Sequence, residues 1–362
     1  MAPTDHGLVT LPGTERGGPY VDVLIIGAGP TGLFAGYCAG FRGLSAAIVD
    51  AQLEAGGQIS ALYPEKAIHD IAGFPRVRGR DLVAGLLDQA LSHGAELMLG
   101  HQAETLSSDG EHSLTVTTDQ GARITAGAVV ITGGIGSFTP RPLPAADSFR
   151  GTGVASFIPE PKRYAGLDVV IAGGGDSAFD WACALSALAA SVTLVHRRSV
   201  FRAHRASVEQ ARRLGVRIVT EAEITRLSGP HGESHGPLST VSVRTCTGAE
   251  ETLPCQGLVA ALGFTSAIGP LAGWGLKLHQ RKIVVDSTMR TTMPRVFAAG
   301  DITQYPGKVR LMAVGFGEAA TAVNNAAVLL DPTLDLFPGH STDAPDHHAA
   351  GTSAAAQIGG IS

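Results

Sequence analysis

The chain is poor in the features that mark several protein classes. Its 362 residues include four cysteines, Cys38, Cys183, Cys246 and Cys255, which are scattered and form neither a C-x-x-C nor any metal-ligand spacing. A disulfide framework and a structural zinc site are therefore not expected, and the thiol pattern suits a reducing, cytoplasmic setting. Aromatic residues make up 5% of the chain, so its core must be built from Val, Ile, Leu and Ala. Positive charge is not in excess: the net charge of −5 gives no reason to expect a nucleic-acid partner. No run of 18 apolar residues occurs, so no membrane span is expected. The first 18 residues are polar and Gly/Pro-rich, without the basic-then-apolar order of a signal peptide. What the chain has in abundance is glycine, 47 residues, which suits close approach of backbone to bound cofactors.

The most informative stretch is Val21–Gly32. Val21 to Ile26 reads as a buried parallel strand. Gly27-x-Gly29-x-x-Gly32 follows, then a small-residue helix to about Gly43, and a second strand from Ser45 that ends in Asp50. This is the order and length of a dinucleotide-binding βαβ unit. Gly27 makes the tight turn, Gly29 admits a pyrophosphate, and Gly32 lets helix and strand pack closely. The helix N-terminus offers N–H groups to phosphate, and Asp50 is placed to accept from ribose hydroxyls.

Past Asp50, residues 54–64 read as a glycine-rich loop at a strand end, where doubly wound sheets bind ligands. Tyr63, held extended by Pro64, is either a platform for a flat cofactor or a loop tyrosine capping the core. A helix over 81–93 and strands around 96–105, 113–118 and 123–131 form an antiparallel excursion, ending in Thr132-Gly133-Gly134.

A second glycine turn then appears in Asp168–Ala178, with Gly173, Gly175, Asp176 and Ser177 in the phosphate-binding positions of a G-x-G-x-x-A pattern. A helix to about 190 and a strand over 191–195 follow. Asp50 lies 23 residues after Gly27, and His196 lies 23 after Gly173. Where the first unit has an acid, the second has His196-Arg197-Arg198, with Arg202 close behind. A carboxylate there repels a 2′-phosphate, whereas guanidinium groups pair with one. The two sites therefore fit FAD and NADPH. Later, Met293–Asp301 reads as a strand ending in Gly300-Asp301, and 308–330 as a loop and an Ala-rich helix. The pair His347-His348, in an Ala/Gly-rich tail, reads as solvated rather than as a metal site.

These residues resemble the two-dinucleotide-binding flavoproteins of the thioredoxin-reductase type. The stretch corresponding to the thioredoxin-reductase dithiol, Gly153–Tyr164, has no cysteine, which excludes a dithiol relay at that place. The chain is more similar to the thioredoxin-reductase-like ferredoxin–NADP+ reductases, through Gly56–Lys66, Gly173–Ala182, Tyr305–Lys308, Gly315–Ala319 and His340-Ser341-Thr342. The resemblance implies an α/β homodimer, each chain carrying two Rossmann-like domains. Residues 20–142 and 263–342 would bind FAD and residues 143–262 NADPH, between a flexible N-terminus (1–19) and a mobile tail (343–362). It also implies that Asp50 binds the FAD ribose, that Gln58 and Asp301 hold the flavin and its ribityl chain, and that Tyr63 stacks on one flavin face. Ala103 and Phe138 would line the same site. His340 of the partner subunit would cover the other face, with Ser341 or Thr342 near the reactive edge. The implied activity is electron transfer between NADPH and ferredoxin. Arg197 to Arg217, rich in arginine, reads either as a basic docking surface for an acidic partner or as a solvated face. Reduction of a different acceptor, disulfide reduction and non-catalytic NADPH sensing are the alternatives the sequence leaves open.

Overall fold

A computed structural model describes residues 13–14, 18–110, 112–149, 151–158, 160–340 and 342. Most of the expected flexible N-terminus, the tail from 343 with its histidine pair, and Ser341 lie outside the described residues. Gly13–Thr14, within the segment expected to be free, pairs antiparallel with Gly18–Pro19.

The first sheet grows from β1 (Gly18–Ile26), whose residues 23–26 are almost fully buried, as an apolar run sandwiched between two layers requires. Helix α1 (Pro30–Phe41) starts with proline in its first turn, where a missing N–H costs nothing, and returns the chain to β2 (Ala46–Asp50), parallel to β1. The loop expected after Asp50 contains a short helix, α2 (Gln58–Leu62), entered through Gly57 at φ +56 and stopped before Pro64. The strand region expected around 96–105 holds two strands, and only the second belongs to the antiparallel excursion. Glu96–Leu99 joins the parallel sheet beside β2, and Ala103–Ser108 turns into the antiparallel part after Gly100 at φ +74.

β3 (Arg123–Ile131) is long because it serves two neighbours along one edge. Its first half pairs antiparallel with Leu114–Thr118, and its last residues pair parallel with Val296–Ala298. Its other edge pairs with β1. Three parallel strands thus end together at Gly27, Thr132 and Ala299-Gly300, and β2 ends beside them at Asp50. Ligands of such sheets bind at these carboxyl ends.

The second sheet is fully parallel, in the order Val154–Ala155, Gly257–Ala260, β4 (Asp168–Ala172), β5 (Ser191–Val195) and Arg217–Val219. Strand periodicity divides its faces. Val169 and Ile171 pack with Phe179, Ala182 and Leu185 of α3 (Asp176–Leu185) and with α4 (Arg205–Arg213). Val170 and Ala172 pack instead against Ile224, Val241 and Leu253 of an antiparallel three-stranded sheet. α3 ends five residues earlier than expected; Gly166 N–H and Ala190 N–H bond back to Leu188 and to Leu167, closing the turn into β5.

The two units are joined by a two-stranded antiparallel ribbon, Ser137–Pro140 with Phe264–Ala267. The C-terminal helix α5 (Met312–Leu330) returns to the first unit. By length and composition it could cross a membrane. Here Gly315, Glu318, Ala319, Ala322, Val323, Ala326 and Ala327 form a buried inner face that packs with α1. Glu318, Asn324 and Asn325 interrupt its apolar character, which is that of a core helix.

Candidate functional site

Two clefts hold nearly all of the residues singled out by sequence. The first is lined by Gly27, Gly29, Asp50, Gln58, Tyr63, Ala103 and Asp301, together with Thr132-Gly133-Gly134 and Leu311-Met312. Gly27 adopts φ +114, and a Cβ there would lie 2.8 Å from the Thr132 carbonyl oxygen. The Thr132 hydroxyl donates to the Ile26 and Gly27 carbonyls at 3.0 and 2.9 Å, tying the turn to β3. A Cβ on Gly29, in contrast, would meet no atom within 4 Å. The open side of the turn is therefore at Gly29, and α1 begins there with no side-chain cap. Its first N–H groups are left for an acceptor that approaches from the cleft. Gly32 does not line the cleft. A Cβ at that position would fall 1.8 Å from the Gly27 carbonyl oxygen, so its role is the close packing of helix on strand.

Asp50 accepts Ala28 N–H at 2.6 Å on one oxygen and Gln52 N–H at 2.8 Å on the other. Burial raises its carboxyl above the usual range, against the opposing effect of those two bonds. Its remaining lone pairs are available to hydroxyl donors. Burial also raises the Tyr63 phenol, with Asp301 and Asp70 adding to the shift. Tyr63 terminates α2, and Gln58 opens that helix with its amide near Gly134.

Asp301 sits in a 3-10 turn that a buried carboxylate holds in place. Glu318 accepts Gly300 N–H at 2.7 Å on one oxygen, and the Tyr305 hydroxyl and Lys308 ammonium, each at 2.5 Å, on the other. Lys308 and Glu318 are 1% and 4% exposed, so this ion pair is unscreened by water. Burial, with Glu318 as acceptor, pushes the Tyr305 phenol up to about 12. The network ties three chain segments around Gly300-Asp301 and the start of α5. The sequence marked Tyr305–Lys308 and Gly315–Ala319 as family stretches but gave no sign that their side chains meet.

The second cleft gathers Gly173, Gly175, Asp176, Ser177, His196, Arg197, Arg198 and Arg202. A Cβ on Gly173 would lie 2.4 Å from the Ala261 carbonyl oxygen, while one on Gly175 would meet nothing within 4 Å. The His196 ring lies directly on Gly174 and 5.4 Å from the Phe201 ring. Burial lowers its pKa, with Arg198, Arg197 and Arg202 adding to the shift and the bond to the Val200 carbonyl opposing it. Asp176 accepts His204 N–H at 2.8 Å, and the Gly174 carbonyl accepts Arg202 N–H at 2.8 Å. These bonds dock the arginine loop on the glycine turn. The arginine-rich stretch is divided in its duties. Arg197, Arg198 and Arg202 face the cleft, while Arg205 and Arg217 are paired with Glu209 and Glu251.

Besides Gly32, two sequence candidates, His340 and Thr342, are not among the residues lining either cleft. Phe138 lies in the connecting ribbon. His340 lies against Phe337, ring centroids 5.1 Å apart, and Thr342 is exposed beyond it. This C-terminal strap is anchored by the Arg42 guanidinium, which donates to the Asp335 carbonyl at 2.9 Å. The sequence reading gave no role to Lys66 and Asp180, whose side chains meet across the second cleft at 2.6 Å.

Both clefts fit a dinucleotide: each has an open glycine, an uncapped helix start, and a second strand whose end can read a ribose. The cysteines do not fit a dithiol; Cys183 and Cys255 are raised by burial, Cys255 to about 12, which keeps them as thiols.

Comparison with known proteins agrees with this geometry. A family model for pyridine nucleotide-disulphide oxidoreductases matches residues 21–326. A Salinispora arenicola protein named ferredoxin–NADP reductase is 60% identical over 324 residues, covering 89% of this chain and 98% of its own length. A Saccharopolyspora erythraea protein of the same name is 56% identical over 323 residues, covering 89% and 97%. Among solved structures, thioredoxin reductase from T. acidophilum is 25% identical and superposes with a TM-score of 0.71, covering 87% of this chain and 99% of that one.

Proposed function

The chain belongs to the pyridine nucleotide-disulphide oxidoreductase family, and from that premise we propose that it carries electrons between NADPH and a ferredoxin through bound FAD. The relatives named ferredoxin–NADP reductase match nearly their whole length here, which favours ferredoxin as the acceptor. The observation that carries the reading is Tyr63, which lines both clefts. One side chain thus separates the place for the flavin from the place for the nicotinamide.

FAD, when bound, supplies the exchange between hydride transfer and single-electron transfer. The chain supplies binding and orientation. Gly29 and the start of α1 take the pyrophosphate, and Asp50 takes the ribose. Gln58, Tyr63 and Asp301 hold the flavin end, with Ala103 along the wall. Gly175, Ser177 and the start of α3 take the NADPH pyrophosphate. Arg197, Arg198 and Arg202 take its 2′-phosphate, with His196 packing beside them. The N-terminus of α5 is directed at the first cleft through Leu311-Met312, where its dipole favours negative charge.

The domain division at 20–142, 263–342 and 143–262 is part of this reading; the two sheets and the ribbon between them support it. So is a cytoplasmic homodimer in which His340 and Thr342 reach the partner's flavin. Leu334, Leu336 and Phe337 leave an exposed apolar strap suited to such a crossing. Truncation after Leu336 is expected to alter the flavin spectrum while FAD stays bound; an unchanged spectrum contradicts the crossing.

The test of function is reduction of cytochrome c by NADPH with and without added ferredoxin. Stimulation by ferredoxin is expected; equal rates with and without it contradict ferredoxin as the acceptor.

A further inference from the structure

Lys66 and Asp180 belong to different units and are 114 residues apart in sequence, yet the Lys66 ammonium donates to an Asp180 carboxylate oxygen at 2.6 Å. Both ends stand on rigid supports. Lys66 follows Tyr63 by three residues; its carbonyl accepts Gly79 N–H at 3.0 Å, while the Pro64 carbonyl accepts Arg80 N–H at 2.8 Å. The neighbouring Glu65 is ion-paired with Arg80. Asp180 is on α3, one turn beyond Asp176 at the phosphate-binding start, and its neighbours Phe179 and Ala182 are fully buried. The pair therefore connects the segment carrying Tyr63 to the helix whose N-terminus takes the NADPH pyrophosphate. Elsewhere the covalent link between the units is the narrow two-stranded ribbon, which fixes a hinge line but not an angle about it.

We propose that Lys66 and Asp180 are positioning residues: their ion pair holds the nucleotide-binding turn of the second unit over Tyr63, at the cleft width that brings nicotinamide to the flavin. This rests on the electron-transfer reading above. The side chains are 49% and 34% exposed, so the pair is a weak, salt-sensitive clasp rather than a lock. That strength suits a cleft that must open for nucleotide exchange. A clasp of this kind shifts the population of the closed arrangement by about two- to fivefold.

The test uses the FAD-loaded protein with Lys66→Ala, Asp180→Ala, the double alanine variant, and the charge exchange Lys66→Asp with Asp180→Lys. Three quantities are read: the limiting rate of flavin bleaching at saturating NADPH, the NADP+ dissociation constant, and acrylamide quenching of Trp181. Trp181 lines the cleft beside Asp180, whereas Trp274, the other of the two tryptophans, is 6% exposed. Each alanine variant is expected to slow bleaching by about two- to fivefold and to increase quenching. The double variant should lose no more than either single one, and the charge exchange should restore both readouts. NADP+ affinity should stay within about twofold throughout. Added salt should slow the wild type toward the alanine variants and leave those variants level. Wild-type bleaching and quenching in every variant overturns the proposal. So does a loss confined to Lys66→Ala and expressed in NADP+ affinity, which would make Lys66 a nucleotide contact. Failure of NADPH to bleach the wild type would instead overturn the electron-transfer reading, and quenching with charge exchange would still decide the clasp.

Discussion

The two glycine turns are built on one plan and differ in two positions. In both, the first glycine is pressed against a carbonyl, of Thr132 or of Ala261, and the glycine two residues on faces open space. At the third position, Gly32 has no room for a methyl group, since a Cβ would fall 1.8 Å from the Gly27 carbonyl oxygen, whereas Ala178 is accommodated and fully buried. At the end of the second strand, Asp50 accepts two backbone N–H bonds in the first unit, while the second unit places His196, Arg197 and Arg198 there. In the function proposed above, the shared features take a pyrophosphate and the differing strand end chooses which ribose is accepted. Packing and specificity are thus carried by different residues of the same motif, and they can be broken separately.

The largest effect is expected from removing the basic pair. Charge-assisted hydrogen bonds contribute about 1.5–3 kcal/mol each. Replacing Arg197 and Arg198 by alanine should therefore lower kcat/KM for NADPH by roughly hundred- to ten-thousand-fold, with NADH nearly unchanged. Equal losses with both nucleotides would mean that these arginines do not read the 2′-phosphate. In the first unit, Asp50→Ala is expected to weaken FAD retention by about ten- to hundredfold, measured by dialysis and reconstitution. Unaltered retention would leave Asp50 with only its two backbone bonds to explain it.

The packing difference predicts an asymmetry in stability. Gly32→Ala forces a methyl group onto backbone and should cost about 1–3 kcal/mol in chemical denaturation. Ala178→Gly, the opposite change at the equivalent place, removes a buried methyl group and lowers helix propensity, about 1–2 kcal/mol together, below the backbone collision expected at Gly32. Similar costs at the two positions would remove the packing distinction.

The first turn, the second turn and the charge reversal between Asp50 and His196-Arg197-Arg198 were legible in the sequence because each is local: strand, turn, helix and strand end occupy some thirty consecutive residues. The parallel pairing of Glu96–Leu99 was not, because its partner is β2, some fifty residues earlier. The buried Glu318 network was hidden for the same reason. Its partners Gly300, Tyr305 and Lys308 come from a preceding strand end and loop, and only the fold brings them to one carboxylate. The Lys66–Asp180 pair is longer-range still. Asp176 was read as a nucleotide contact from its place in the motif; the structure adds that one of its oxygens holds the arginine loop through His204.

The smallest effect expected is that of His196. Burial and the three neighbouring guanidinium groups lower its pKa below the usual imidazole value, against the opposing bond to the Val200 carbonyl, so the neutral form dominates at pH 7 and little charge remains to lose as pH rises. The ratio of NADPH to NADH efficiency should stay level between about pH 7 and 8.5. A ratio that falls through that window would give the histidine a charged role beside the arginines.

In the proposed function the first cleft holds FAD and the second alone reads the 2′-phosphate. Competition against NADPH by adenosine 2′,5′-bisphosphate and by adenosine 5′-phosphate tests it most directly, with flavin release followed in the same samples. Strong competition is expected from the 2′-phosphorylated nucleotide and weak competition from the other, with loss of that difference in the Arg197→Ala/Arg198→Ala variant and no release of FAD by either. Equal inhibition by both nucleotides, or displacement of FAD by the 2′-phosphorylated one, would contradict it.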